Sequence, residues 1–180
     1  MANEILVKTQ TGTPIVFADA GAFDNTPFAD THDITFAGLA AGGSRESPKA
    51  DLAAALNNGE KLPQRWAVLA AFEFADAPAA TATVDIYWAP SPSAGAGDDN
   101  PYLITGVDAA VVETDSMLGQ LQFIGSVPLQ AVADVVFSKV FITTFAMRYG
   151  TLLVHNNTAV AFEAGELIHV TLMPLVDEAQ

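Results

Sequence analysis

The residues of this 180-residue chain that could do chemistry are three histidines, a few serines and an excess of carboxylates. The histidines are His32, His155 and His169, and none lies within helical or hairpin spacing of another. Metal sites usually draw ligands from such short spacings, so histidine ligation of a metal is weakly supported. His169 alternates with apolar residues along a strand-like run, which favours a sheet-face or interface role. We expect His155 in a turn and His32 in solvent.

Nucleophilic catalysis has no signature in this sequence. Cysteine is absent, which excludes thiol catalysis, disulfides and cysteine-ligated zinc or iron–sulfur sites. Ser44 and Ser126 each follow a glycine, but neither lies in the G-x-S-x-G turn that exposes a serine nucleophile, and no histidine is tied to them by spacing. Triads form in space, so this only lowers the expectation of an enzyme. We expect a non-enzymatic protein with no catalytic, cofactor-binding or metal-binding residue.

Carboxylates are too numerous for any pair to stand out. The chain has 21 acids, which supply many chance pairs of the kind that glycosidases use. Two acidic groups could offer oxygen ligands to calcium, but neither fits the twelve-residue loop of an EF-hand, and a solvated loop is the favoured interpretation. The groups are Asp98-Asp99-Asn100 and the set Asp24, Asn25, Asp30 and Asp33.

The charge balance restricts the partners. Seven Lys and Arg against 21 Asp and Glu give a formal net charge of −14, so the clustered cations that hold a phosphate backbone are absent and we expect no nucleic-acid partner. No stretch approaches the ~20 apolar residues of a membrane helix, and none is expected in a membrane. Residues 1–9 lack the charged and apolar regions of a signal peptide, so synthesis in the cytoplasm is the expectation.

The N-terminal part reads as strands and an extended arm. We assign residues 1–41 to a strand and arm region and residues 42–180 to a β-sandwich, within a single domain. Apolar runs at residues 5–7 and 15–17 predict two short strands that could pair as a hairpin. Residues 19–33, rich in Asp, Asn, Thr, Gly and Pro, predict an arm whose two phenylalanines, Phe23 and Phe28, insert into a partner.

One short helix is predicted beside the sandwich. Ser47 is a good N-cap, Pro48 suits the first helical position, and Gly59 follows the predicted end. The body, residues 50–57, has apolar residues at helical spacing that would pack on a sheet. Lys49 is expected to stay in water.

Strand periodicity dominates from Trp66 to Pro174, and Pro174 is expected to end the last strand. The loop Pro90–Pro101 is expected to be exposed and mobile. About eight strands with turn signals every dozen residues predict an all-β fold, an antiparallel sandwich of jelly-roll type. The predicted strands cover residues 66–74, 83–88, 107–115, 121–124, 135–145, 152–154, 160–162 and 167–172.

Apolar residues occupy both faces of several strands, although one face normally suffices for a core. In the run from Val135, Phe137 and Phe141 share a face with Lys139, and Val140 and Ile142 lie on the opposite face. Apolar excess on a soluble chain is typical of protein contacts. Lys139 is expected to act as a gatekeeper against open-ended strand pairing.

Four segments between Trp66 and Pro174 resemble, in order, a family of tailed-phage structural proteins. The first runs from Thr83-Val84-Asp85-Ile86-Tyr87-Trp88-Ala89-Pro90-Ser91 into a Pro, Ser and Gly loop that ends Asp99-Asn100-Pro101. The others are Leu121-Gln122-Phe123-Ile124-Gly125-Ser126, Arg148-Tyr149-Gly150-Thr151-Leu152-Leu153-Val154-His155-Asn156-Asn157 and Val170-Thr171-Leu172-Met173-Pro174. His155 departs from the more usual Val-Val-Asn-Asn pattern.

The resemblance implies a structural virion protein on the capsid surface, one that decorates or cements the head by binding major capsid protein subunits. Together with the apolar excess, this role leads us to expect a homo-oligomer, with a trimer favoured. The alternative is a carbohydrate- or receptor-binding jelly roll on the tail or fibre, which would use the loop Pro90–Tyr102 and the flanking aromatic residues Tyr87, Trp88 and Tyr102.

Overall fold

The computed structural model describes residues 5–9, 13–21, 29–56, 61–112, 115–163 and 167–179. The described residues form twelve strands, a 3-10 helix at Leu52–Ala55 and a single α-helix, α1 (Asp115–Leu118). The strands are β1 (Ile5–Thr9), β2 (Ile15–Ala18), β3 (His32–Asp33), β4 (Ser44–Glu46), β5 (Ala50–Asp51), β6 (Arg65–Phe72), β7 (Thr83–Ser91), β8 (Ala109–Val111), β9 (Gln122–Pro128), β10 (Phe137–Thr143), β11 (Tyr149–Asn157) and β12 (His169–Ala179).

The strands build two sheets packed face to face. Sheet A has the order β10-β6-β12-β2-β3, with β1 also on β12, and sheet B has the order β8-β4-β11-β7-β9, with β5 also on β11. The central quartets, β2-β12-β6-β10 and β4-β11-β7-β9, have the strand order of a jelly roll. The predicted all-β sandwich is confirmed.

Apolar residues on the facing sides of the sheets form the core. In sheet A these include Trp66, Val68 and Phe72 of β6, and in sheet B they include Trp88 of β7, all fully buried or nearly so. Gly150 of β11 leaves the space that the indole needs, because a Cβ there would lie 2.3 Å from Cε2 of Trp88. Alternation along each strand thus fills the main core between the two sheets.

The hairpin prediction for the first two strands is wrong. β1 and β2 do not pair with each other; both lie antiparallel along the same partner, β12. β1 pairs with Leu175–Ala179 and β2 with His169–Leu172, so the two strands lie end to end along one side of β12 rather than side by side. The predicted insertion of Phe23 and Phe28 lies outside the described residues.

The end predicted for the last strand is also wrong, because β12 continues past Pro174 to Ala179. Pro174 pairs with Trp66 of β6, and on the other side it falls between the Leu172–Ile15 and Leu175–Thr9 pairs. The break between β1 and β2 therefore lies beside the proline, where a missing N–H interrupts no ladder.

The predicted helix is replaced by a strand and a single 3-10 turn. Ala50 and Asp51 pair with β11, and the side chain of Asp51, not that of Ser47, caps the turn by accepting from the N–H of Ala53 at 2.9 Å. The Ser47 hydroxyl instead accepts from the N–H of Leu152 at 3.0 Å, tying this segment to β11. Hydrogen bonding to the sheet wins over local helix propensity.

Candidate functional site

The most distinctive surface feature is a long loop over the outer side of sheet B, residues 92–108, which we call the presented loop. Lys49, expected in water, lies under it. Its ammonium donates to the carbonyl oxygens of Gly95 at 2.6 Å, Asp98 at 2.7 Å and Ser93 at 3.3 Å, and to the hydroxyl of Ser91 at 3.0 Å. Burial lowers the pKa of Lys49, while the charges of Asp98 and Asp99 act in the opposite direction. The loop is exposed, as predicted, and the ammonium of Lys49 fixes the position of its first part.

A buried carboxylate holds the second half of the loop. Glu46 of β4 is only 1% exposed. Its oxygens accept from the N–H of Thr105 at 2.9 Å, the hydroxyl of Thr105 at 2.6 Å and the N–H of Gly106 at 3.2 Å. A buried charge is tolerated only with such partners, so this contact fixes the loop backbone firmly.

An ion pair fixes the end of the loop. Arg45 of β4 binds Asp108 through two hydrogen bonds of 2.6 and 2.7 Å, and Asp108 also accepts from the N–H and hydroxyl of Thr35 at 3.1 and 2.7 Å. Burial alone would raise the pKa of Asp108, but these donors outweigh it and hold the pKa below its usual value. Arg45, Glu46 and Lys49 together clamp the presented loop at three points.

The loop backbone is tightly folded. Gly106 has φ +72°, and a Cβ there would lie 2.2 Å from the carbonyl oxygen of Ala96, so only glycine fits. Asp99 and Leu103 adopt φ of 50° and 66°, a region that L-residues rarely occupy. Strain of this kind persists where the surroundings impose it, and it is common at binding sites.

The clamped loop points apolar side chains into solvent. Tyr102 is 59% exposed and Val107 49%, and Leu103 between them is exposed as well. Unlike these, Trp88 is fully buried in the core, and Tyr87 packs on Phe123 with ring centroids 5.2 Å apart. Of the three aromatic residues predicted to flank a carbohydrate site, only Tyr102 is therefore presented by the loop.

A second exposed apolar surface lies where β9 and β10 close the sandwich; we call it the β9–β10 edge. Val140 is 57% and Ile142 60% exposed on the outer side of β10. Phe123 of β9 is also exposed, and its ring packs on Tyr87 of β7. Phe141 points inward onto Gly125 of β9, where a Cβ would lie 2.3 Å from its ring. Neither of the two strands at this edge, β9 and β10, contains an Asp or Glu.

Lys139, predicted as a gatekeeper, does not extend away from the sandwich. Its ammonium donates to the carbonyl oxygen of Ser126 at 3.1 Å and lies 5.0 Å from the ring centroid of Phe141. The lysine therefore helps to join β10 to β9. Its effect on strand pairing stays a prediction.

The structure brings together a serine, a histidine and an aspartate that the sequence does not connect. Ser44, His155 and Asp85 face one another across β4, β11 and β7, and the Ser44 hydroxyl lies 2.9 Å from Nδ1 of His155. Ser44 is buried, however, and a nucleophile must be open to its substrate. The row is best explained as a polar contact across the sheet. Only strand register could have revealed it, and the expectation that His155 lies in a turn is wrong, because His155 is inside β11.

The other two histidines lie on sheet A. His32 is half-buried and packs on Phe17, with ring centroids 5.1 Å apart, so the expectation that it lies in solvent is wrong. His169 lies on a sheet face, as predicted, with Nδ1 3.1 Å from the carbonyl oxygen of Leu167. Burial lowers the pKa of both imidazoles.

The described residues contain no group of three or more His, Asp or Glu placed to hold a metal ion. Near Asp98 and Asp99 the loop carbonyls already surround the ammonium of Lys49, which opposes a second cation in the same place. No helix in the described part of the chain is long and apolar enough to span a bilayer.

No family model matches this sequence, and no curated protein matches it.

Proposed function

We propose that this protein is a structural virion protein that decorates or cements a tailed-phage capsid, and that the presented loop is its docking element for the major capsid protein. The observation that carries the proposal is a loop fixed by Arg45, Glu46 and Lys49 that exposes Tyr102 and Val107. A fixed apolar surface binds with little loss of conformational entropy.

The choice of a capsid as the partner rests on the resemblance of residues 66–174 to phage structural proteins and on the jelly roll, an architecture common in viral capsid and lectin domains. Fold alone does not fix function, so the loop carries the argument for contact and the resemblance supports the partner. Many modest contacts between neighbouring subunits raise the barrier to rupture of a shell that encloses packed DNA.

The experiment is co-sedimentation of the purified protein with shells assembled from the major capsid protein alone. Wild-type protein should bind at a fixed ratio to the shell subunits. Val107→Lys should weaken binding by about tenfold or more, because it places a charge in an apolar contact. Val132→Lys is the matched control, since Val132 is 46% exposed against 49% for Val107 but lies outside both the presented loop and the β9–β10 edge. Shell binding that Val107→Lys and Tyr102→Ala leave unchanged would contradict the assignment of the loop.

The alternative, a carbohydrate-binding jelly roll, keeps one favourable observation. Tyr102 is exposed beside the polar Asp99 and Asn100, a combination that sugar sites use. Glycan binding that is lost in Tyr102→Ala, together with no binding to shells, would favour this alternative.

A further inference from the structure

At the β9–β10 edge, β10 has the geometry of an edge strand that can pair with another strand. β10 is the last strand of sheet A, and Leu69 of β6 lies between Val140 on one side and Thr171 on the other. Val16, opposite Thr171, turns its backbone away from β12 to exchange hydrogen bonds with Thr31. Paired residues of an antiparallel ladder either face each other or both turn away.

That rule fixes the direction of the backbone groups of β10. Val16 turns its backbone groups away from Thr171, so Thr171 turns its own groups toward Leu69 of β6, and Leu69 turns its groups toward Thr171. Leu69 therefore turns its backbone groups away from Val140, and Val140 must turn its N–H and C=O away from β6. Alternation gives Ser138 and Ile142 the same direction. Three residues of β10 therefore direct backbone donors and acceptors to the open edge, and no described hydrogen bond reaches them.

We propose that this edge binds a second copy of the chain, with β10 pairing antiparallel to its counterpart across a two-fold axis at Val140. This register opposes all seven residues of both strands, Phe137–Thr143, and sets Ser138 against Ile142 of the other copy. It sets Lys139 against Phe141, the same pairing of ammonium and ring that exists within one chain at 5.0 Å. A register centred on Lys139 instead is disfavoured, because it would oppose two ammonium groups.

Charge explains why the occupant is a second copy and why it uses this edge. Two chains of net charge −14 repel each other over most of their surfaces. β9 and β10 lack acids and β10 includes Lys139, so this edge offers an approach with little like-charge repulsion. The strand is self-complementary about Val140, which suits an isologous interface that closes at two copies. This differs from the trimer expected from the sequence.

The test is the mass of the purified protein in solution across a dilution series, measured by sedimentation velocity. We expect a reversible species of about twice 18.8 kDa. Val140→Pro should raise the dissociation constant by about tenfold or more, since it removes the N–H at the axis without touching a bond to β6. Val140→Lys should also raise the dissociation constant, because it opposes two ammonium groups across the axis. The side chain of Val140 is exposed, so this variant replaces the proline variant if that one fails to fold.

Val107→Lys is the matched control, an exposed valine exchanged for the same charge on the presented loop, and it should keep the mass of the wild type. A monomer at every concentration, a trimer, or a dimer that both Val140 variants preserve would overturn the proposal. The inference does not depend on the proposed function: mass in solution reports on the edge, and shell binding reports on the loop.

Discussion

The ammonium of Lys49 lies 2.6 Å from the carbonyl oxygen of Gly95, and this bond joins the segment between β4 and β5 to the first part of the presented loop. Three further oxygen acceptors surround the same ammonium, so one side chain organises residues 91–98. The exposed apolar residues later in the loop therefore lie on a backbone that is already fixed in the free protein.

Lys49→Met should loosen the presented loop. The substitution keeps the apolar part of the side chain but leaves carbonyl oxygens of residues 93, 95 and 98 without this donor, at a cost of about 1–3 kcal/mol in unfolding free energy. Amide hydrogen exchange across residues 92–99 should become faster. Lys61→Met, at an exposed lysine, is the control and should leave the exchange unchanged.

Glu46→Gln should destabilise the same loop from its other end. The amide offers one acceptor oxygen where the carboxylate uses two, and it sets an NH₂ group against the N–H or hydroxyl donors of Thr105 and Gly106. We expect a loss of about 1–3 kcal/mol in urea denaturation. Glu73→Gln, directly after the end of β6, is the control. If Glu46→Gln costs no more unfolding free energy than Glu73→Gln, Glu46 does not clamp the loop.

Gly106→Ala tests the backbone fold of the loop. The added Cβ would meet the carbonyl oxygen of Ala96, and a φ of +72° costs an alanine about 1 kcal/mol by itself. Limited proteolysis should therefore cut the loop of this variant faster. Gly97→Ala is the matched control, because a Cβ there meets nothing within 4 Å. Equal cleavage of the two variants would mean that the close approach of residues 96 and 106 is unimportant.

Acidification from neutral pH should lower stability through His32 and His169. Burial holds the pKa of each imidazole below 6.5 in the folded chain, so near and below that pH the unfolded chain binds protons that the folded chain does not. The unfolding free energy should fall as the pH drops from about 7.5 to about 5.5. The double variant His32→Gln/His169→Gln should show a smaller fall. An identical fall in both proteins would exclude these imidazoles as its source.

The jelly roll and its longer strands could be predicted because alternation is visible locally in β6 and β7 and turn residues separate the strands. The short strands β4 and β5 could not, and the predicted strand at residues 160–162 is reduced to a single bridge between Phe162 and Phe74. The pairing of β1 and β2 with β12 could not, because it joins residues more than 150 positions apart. A short apolar run carries no information about which distant edge will accept it.

The contacts that clamp the presented loop could not be predicted from the sequence, for a related reason. The local sequence of residues 47–59 predicts a helix with Lys49 in water. In the structure Lys49 instead holds a segment more than 40 positions later in the chain. The sequence did indicate that residues 90–101 form an exposed loop and that Val140 and Ile142 lie opposite the core face of β10. It could not indicate which charges fix the loop, because those contacts exist only after the sheets pack.

Quantitative mass spectrometry of purified particles, giving the number of copies of this chain per major capsid protein, decides whether the protein decorates a capsid. A decoration or cement protein should be present at a ratio near one or at another simple fraction set by the symmetry of the shell. A few copies per particle would place it on the tail and favour receptor binding. Absence from particles would contradict the proposed function outright.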